Sequence, residues 1–570
     1  MLLRSLLVGL VILPLSMAAQ ARESQAPVLP RQAAVASANA YATDAGMEVL
    51  AKGGNAFDAA VAVSATLGLV EPESSGLGGG GLMLLHLADG NREVFVDARE
   101  RAPLAATRDM YLDDTGAVRP RSSIDGPLAA AIPGLPAALV HLSQKYGKVP
   151  LSVSLAPAIR LARLGWTVSS KTADVLPWRS EVLARSPGAR ALFMRGGKPV
   201  VAGDVLKNPD YARTLELLAS KGNDGFYSGR MASRLVDGVR RAGGIWTLED
   251  LAQYRVVERE PLRFSHRGFR FVTAPPPSSG GVALAEMLNI LSGYDYPAMK
   301  TSLRVHLVVE AMRRAYRDRA QFLGDPDFVE VPLARMMSQD FAAGMRASIH
   351  PHRATPSSLL PPVTQSAERP DTTHFSIVDT EGNLAAVTQT VNLTFGNAFA
   401  VPGTGFVLNN EMDDFSAAPG VPNAFGLIGD KANEIAPGKR PLSSMTPTFL
   451  IGDDRIAAIG TPGGSRIITM VLLGLMELMD GGSAQAAADL PRYHHQYLPD
   501  VIQIEPGALP GEVVAHLESM GHTVKASDST WGNMQVVLWK LRSGEVEAGS
   551  DGRWKSVGKG AVGAPAAIYR

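Results

Sequence analysis

From Ala34 to Val70, small and apolar residues recur at helical spacing, broken at Gly53-Gly54-Asn55. That break reads as a helix stop followed by a new N-cap at Asn55, so two packed helices are predicted. The unbroken apolar run Leu82 to Leu87 ends at Asp89-Gly90 and predicts a buried strand, with a return strand from Glu93 to Val96. Between Ala129 and Gly344 the spacing turns helical again, with amphipathic stripes over Pro150 to Leu164 and Val305 to Phe322. His350 to Pro370 carries Pro351, Pro356, Pro361, Pro362 and Pro370 among serines and threonines, a linker composition. Directly after it Thr373 to Val378 alternates polar and apolar residues, turns at Asp379 to Asn383 and returns through Leu384 to Val391. This is a hairpin pattern. A turn centred near Glu381 sets Thr372 opposite Thr390, to within about one residue. Further on, the apolar strand Ile456 to Ile459 runs into Gly460-Thr461-Pro462-Gly463-Gly464-Ser465 and then a helix with an apolar period.

Gly76, Gly78 and Gly81 satisfy GxGxxG, but here a helix precedes the glycines and a strand follows, the reverse of a dinucleotide fingerprint. A close-packed glycine turn that lets backbone approach is the better reading. The 570 residues exceed usual single-domain size, so two domains or one large multilayer core is expected. Lys plus Arg and Asp plus Glu both total 55, which leaves no basic field for nucleic acid or an anionic membrane. There are no cysteines, so thiol catalysis and Cys-metal sites are excluded. At the N-terminus Arg4 precedes an apolar run that is interrupted by Pro14 and ends at Ala19-Gln20-Ala21. This is the pattern of a cleavable signal peptide covering 1–21, shorter than the roughly 20 apolar residues a spanning helix requires. The protein is therefore expected to be exported without a stable membrane anchor, to the periplasm if the host is Gram-negative.

A threonine hydroxyl is a poor nucleophile unless a base sits beside it, and the threonine's own α-amino group can serve once the chain is cut before it. A proline-rich linker ending at Asp371, immediately before Thr372, suits such a precursor. On pattern alone two β-preferring threonines on an edge strand would look the same. The stretch Thr372-Thr373-His374-Phe375-Ser376, with Asp379 and Gly382-Asn383, resembles the processing and nucleophile motif of the γ-glutamyltransferase (glutathione hydrolase) family of N-terminal nucleophile hydrolases. Similar to that family too are Lys52 to Ala60, Pro276 to Gly281, Asn409 to Phe415 and Arg440 to Met445. These matches span nearly the whole chain after the leader.

The resemblance implies roles position by position. Thr372 matches the nucleophile and new N-terminus, with cleavage between Asp371 and Thr372, and Thr390 matches the threonine that bonds it. Arg99, helped by Ser443 and Ser444, matches the grip on a donor α-carboxylate, while Asn392, Glu411 and Asp414 match the α-ammonium ligands. Gly463 and Gly464 match the oxyanion hole. Read singly, Arg99 could pair with Glu100 or Glu93, Asp414 could cap a helix, Ser443-Ser444 could form a turn, and the glycine turn could be an anion nest or a plain helix start. Pro419 to Lys439 resembles a lid loop, with Phe425 where many members carry tyrosine. His494-His495 on a strand would face opposite sides and form no recognisable metal spacing.

The family implies a four-layer αββα sandwich built jointly by a large subunit, residues 22–371, and a small catalytic subunit, residues 372–570, as a heterodimer. It implies transfer of γ-glutamyl groups from glutathione and other γ-glutamyl compounds to water or to amino acid and peptide amines, with no cofactor and no metal. Two other readings remain: a cephalosporin or glutaryl acylase of the same superfamily, and an exported binding protein that kept the fold without the activity.

Overall fold

Asn55 divides the first helical region by a reciprocal cap. Its side chain accepts from the Phe57 and Asp58 amides, and the Asp58 carboxylate accepts from the Asn55 amide. Helices Ala40–Ala51 and Ala56–Val70 follow from this stop and start. The second is buried at every position, which matches its lack of a polar face. The span read as helical from Ala34 begins as a strand, Ala33–Ser37. Small apolar residues fit a period of two as well as 3.6, and a strand partner in the sheet decides between them. The computed structural model describes residues 26–360, 372–417, 423–427, 429–554 and 557–563. The leader-like segment, residues 361–371 with Asp371, and part of the 419–439 loop lie outside the described residues.

Two antiparallel sheets form the centre. The first runs in the order Lys559–Gly563, Ala33–Ser37, Thr373–Val378, Leu384–Thr390, Gly80–Leu87, Arg92–Ala98, Val257–Arg259. The second runs Val546–Ser550, Gln535–Lys540, Arg455–Gly460, Thr448–Ile451, Phe269–Thr273, Leu262–His266. Alternation along each strand fills two cores. Val35, Met83, Leu85, Phe375 and Ile377 pack with the Ala56–Val70 and Leu135–Lys145 helices. Ala34, Leu82, Leu84, Ala386 and Ile459 pack between the sheets and toward helices Gly280–Leu291, Thr301–Phe322 and Ile467–Met479. The layers are thus helix, sheet, sheet, helix, the four-layer αββα sandwich expected. Among the described residues no helix is long and apolar enough to cross a membrane.

The hairpin register is the one the turn count predicts. Thr373 pairs with Gln389 and Val378 with Leu384, so Thr372 stands opposite Thr390 at the open end. The strand after Thr372 lies between Ala33–Ser37 and Leu384–Thr390, in the middle of the sheet. Behind it, the glycine turn makes the close approach its composition allows: a Cβ on Gly79 would lie 1.9 Å from the Thr390 carbonyl oxygen.

Candidate active site

At the hairpin mouth the Thr372 and Thr390 hydroxyl oxygens are 3.2 Å apart, both residues buried. The Thr390 oxygen also accepts the Asn392 amide at 2.7 Å, which fixes its rotamer. Asn392 itself adopts φ 79, a turn that points its side chain back to the Asn410 carbonyl at 2.9 Å. Two residues into the strand, His374 is held by Thr388 at 2.8 Å and Ser376 at 3.0 Å, and burial lowers its pKa to about 3. It is therefore a neutral structural side chain. Gly460 packs directly on its ring, since a Cβ there would be 2.4 Å from it. This contact sets the start of the Gly463-Gly464 turn against the nucleophile strand.

Gly463 has φ 142 and Gly464 φ 55, positive values that favour glycine. The turn opens the 3-10 segment Gly464–Arg466 and then helix Ile467–Met479. Among the described residues neither glycine amide has a protein acceptor, as expected at a helix start that can receive an anion.

A cleft of about 280 Å³ opens on these groups, lined by Arg99, Thr372, Thr390, Asn392, Glu411, Asp414, Phe425, Ser443, Ser444, Met445, Gly464 and Ile467. Sequence reasoning named nine of these twelve as site residues and Phe425 as a lid residue; Gly463 sits one position behind the lining. The arrangement of the charged residues is more specific than the expectation. Arg99 donates from Nη1 to Glu411, from Nη2 to Asp414 at 2.5 Å, and from Nε to the Pro441 carbonyl at 3.1 Å. The arginine and the two carboxylates expected to grip opposite ends of a donor are thus bonded to each other. Glu100 adds a third buried acid 3.6 Å from Arg99. Burial raises the pKa of Glu411 well above its usual range despite Arg99, raises that of Asp414, and lifts Glu100 to about 7. Against burial, the three acids hold Arg99 charged.

Ser443 and Ser444 follow Arg440-Pro441-Leu442 and line the cleft. Ser443 Oγ accepts the Met445 amide at 3.1 Å, and Ser444 Oγ accepts from Arg319 at 3.3 Å. Neither hydroxyl donates to another described residue, so both protons can serve a bound anion. Arg319 and Glu100 are absent from the sequence-derived set. Arg319 could have been found by period: Val305, Val309, Met312, Tyr316 and Arg319 advance by four and three residues, so the arginine lies on the buried stripe of its helix. From the loop side, Asn423 donates to Asp414 at 3.2 Å and Gln496 donates to the Phe425 carbonyl at 3.4 Å.

His494 and His495 bond separate partners, Thr469 at 2.8 Å and Asp500 at 3.2 Å, and face away from one another's ligands. His306, Glu310 and His522 bring potential metal-donor atoms within 4.8 Å of each other. Each already has a protein partner: His306 bonds His522 at 2.8 Å, and Glu310 accepts from Arg314 at 2.6 Å.

The sequence pattern of the Gamma-glutamyltranspeptidase family matches residues 42–561. A glutathione hydrolase proenzyme of Pseudomonas sp. (strain A14) is 45% identical over 504 residues, covering 87% of each chain. One of Escherichia coli (strain K12) is 41% identical over 92% of this chain and 91% of its own. Among solved structures, a cephalosporin acylase from Bacillus halodurans superposes with TM-score 0.81 at 27% identity, covering 97% of this chain and 99% of its own. The fold is thus common to both activities, while the greater sequence likeness lies with the glutathione hydrolases. The chain accordingly belongs to the gamma-glutamyltranspeptidase family.

Proposed function

We propose that the chain is an exported precursor, cut between Asp371 and Thr372 into subunits of residues 22–371 and 372–570, that transfers γ-glutamyl groups from glutathione and related donors to water or amines. The observation that carries this reading is the pairing of the Thr372 and Thr390 hydroxyls at 3.2 Å on the wall of a cleft that also holds Arg99, Glu411 and Asp414. A γ-glutamyl donor carries one carboxylate, one ammonium and one scissile amide, and the cleft holds a complementary group for each. Strands from both sides of position 371 share the first sheet, with Ala33–Ser37 between Lys559–Gly563 and Thr373–Val378, which supports continued association after the cut.

In the cleaved protein the Thr372 α-amine removes the proton from the Thr372 hydroxyl as its oxygen attacks the γ-carbonyl carbon. Gly463 and Gly464 amides receive the oxyanion, a contribution of a few kcal/mol in such sites. Collapse breaks the C–N bond, and the α-ammonium returns its proton to the leaving amine. Water or an acceptor amine then repeats the attack on the Thr372 ester. Arg99 and the two serine hydroxyls bind the α-carboxylate, while Asn392, Glu411 and Asp414 take the α-ammonium.

N-terminal sequencing of the purified protein should find a fragment beginning at Thr372. Turnover of γ-glutamyl-p-nitroanilide should exceed that of glutaryl-p-nitroanilide, which lacks the ammonium. An uncut chain that still consumes glutathione, or a preference for the glutaryl anilide, defeats the reading.

A further inference from the structure

Arg319 is buried on the last turns of the Thr301–Phe322 helix; among the described residues no carboxylate forms an ion pair with it, and Asp414 attracts it only from beyond contact distance. Its guanidinium donates from Nε to Ser279 Oγ at 3.0 Å and from Nη2 to Ser444 Oγ at 3.3 Å. A cation removed from water without a counter-ion is unfavourable to the fold, and burial lowers its pKa to about 10. Such a group is retained where an anion visits. Ser444 lines the donor cleft, and among the described residues its hydroxyl has no acceptor for its own proton. A hydroxyl that accepts from a cation becomes a stronger donor. Arg99, by contrast, already shares its charge with Glu411 and Asp414.

We propose that Arg319 is a positioning residue for donor recognition, a buried cation without a contacting carboxylate that acts through the Ser444 hydroxyl on the α-carboxylate of a γ-glutamyl donor. The inference rests on the assignment of Ser443 and Ser444 as the carboxylate subsite. In the empty protein the guanidinium contacts no carboxylate of the described residues; with donor bound, a relay runs from Arg319 N–H to Ser444 Oγ and from Ser444 O–H to the carboxylate. No bond is made or broken at Arg319, so its effect belongs to binding rather than to the chemical step.

Mature Arg319→Met, Arg319→Lys, Ser444→Ala and the Arg319→Met/Ser444→Ala double variant are compared on two donors. One is γ-glutamyl-p-nitroanilide and the other 4-aminobutyryl-p-nitroanilide, the same donor without its α-carboxylate. Arg319→Met should raise KM for the γ-glutamyl anilide by about tenfold or more, the scale of a hydrogen bond to a charged group, with kcat nearly unchanged. KM for the aminobutyryl anilide should stay as in the parent. In the Ser444→Ala background the arginine substitution should cost little more, because the relay is already broken. The unliganded thermal midpoint of Arg319→Met should be unchanged or higher, since an uncompensated buried charge is removed. Equal losses on both donors, additive effects of the two substitutions, or a lowered unliganded midpoint would show Arg319 to be ordinary scaffold and overturn the proposal. If Arg319→Met does not fold, that too marks a scaffold role, unless Arg319→Lys, which keeps the cation but loses the fork, folds and shows the same carboxylate-dependent KM shift. Failure of the parent enzyme to turn over the γ-glutamyl anilide would instead strike the proposed function itself.

Discussion

Replacing Thr390 with valine isolates the hydroxyl pair at the hairpin mouth. Valine keeps the branched shape, so no cavity opens and only hydrogen bonds change. Two are lost. The Thr372–Thr390 contact, at 3.2 Å, is longer than the usual O–H···O range, so its net worth lies near the low end of about 0.5–1.5 kcal/mol. The Asn392 amide, bonded to Thr390 at 2.7 Å, would be left buried without a partner, which costs about 1–3 kcal/mol. Together roughly 1.5–3.5 kcal/mol is at stake; if all of it is expressed in positioning the nucleophile, self-cleavage slows by about tenfold to a few hundredfold. The assay follows conversion of freshly purified precursor into two fragments by gel densitometry, with Thr390→Ser as the control that keeps a hydroxyl. Cleavage of Thr390→Val at the parental rate would refute the argument, because the hydroxyl pair would then have no part in activating Thr372. A slow Thr390→Ser with a fast Thr390→Val would refute it equally.

Thr372→Ala should remain a single uncut chain by intact mass, since it lacks the attacking oxygen; normal cleavage would point to another nucleophile. Gly463→Ala must hold an alanine at φ 142 with its Cβ 2.4 Å from Met470 Cε. The amides of the turn should shift, and kcat on γ-glutamyl-p-nitroanilide should fall by about a hundredfold with KM little changed. For pH, burial holds His374 neutral with a pKa of about 3 against 6.5 for the free side chain. The unfolded chain therefore takes up this proton at a higher pH than the folded one does. His374's share of stability is whole above about 6.5 and is lost as pH falls toward 3, at up to about 1.4 kcal/mol per unit. His374→Asn should flatten the thermal midpoint's decline between pH 6 and 4, and an identical slope would count against the assignment.

The parts legible in the sequence share one property: they are set by local geometry. The register of Thr372 with Thr390 follows from a turn centred on Glu381 and the period of a strand, and the structure keeps it to the residue. The Asn55 cap is likewise local, two side chains three positions apart exchanging bonds with the amides of the same turn. What escaped is set by distant partners. Ala33–Ser37 carries residues that suit either period, and it becomes a strand because Thr373–Val378 and Lys559–Gly563 flank it. Arg319 is one charged residue in the arginine-rich stretch Arg313 to Arg319, and only the angular position of its stripe distinguishes it. The bonding of Arg99 to Glu411 and Asp414 joins residues more than three hundred positions apart, and resemblance assigned each of them to a substrate group instead.

That mutual pairing bears on why the cleft should favour a zwitterion. In the empty site the Arg99 charge is already matched, so a donor gains nothing by offering a carboxylate alone: it would draw Arg99 away and leave Glu411 and Asp414 adjacent, buried and without a cation. An ammonium alone would strand Arg99 in the same way. A γ-glutamyl group brings both charges on one carbon, so each protein group exchanges its partner for a new one of the same sign. The desolvation of Arg99 and the two acids is met once, in folding, and does not recur on binding. A glutaryl acylase on the same fold meets no such requirement, since its substrate carries no ammonium, and a pocket for it is better served without paired carboxylates. Under the proposed function, Glu411 and Asp414 are therefore the residues on which the distinction between the two activities would turn.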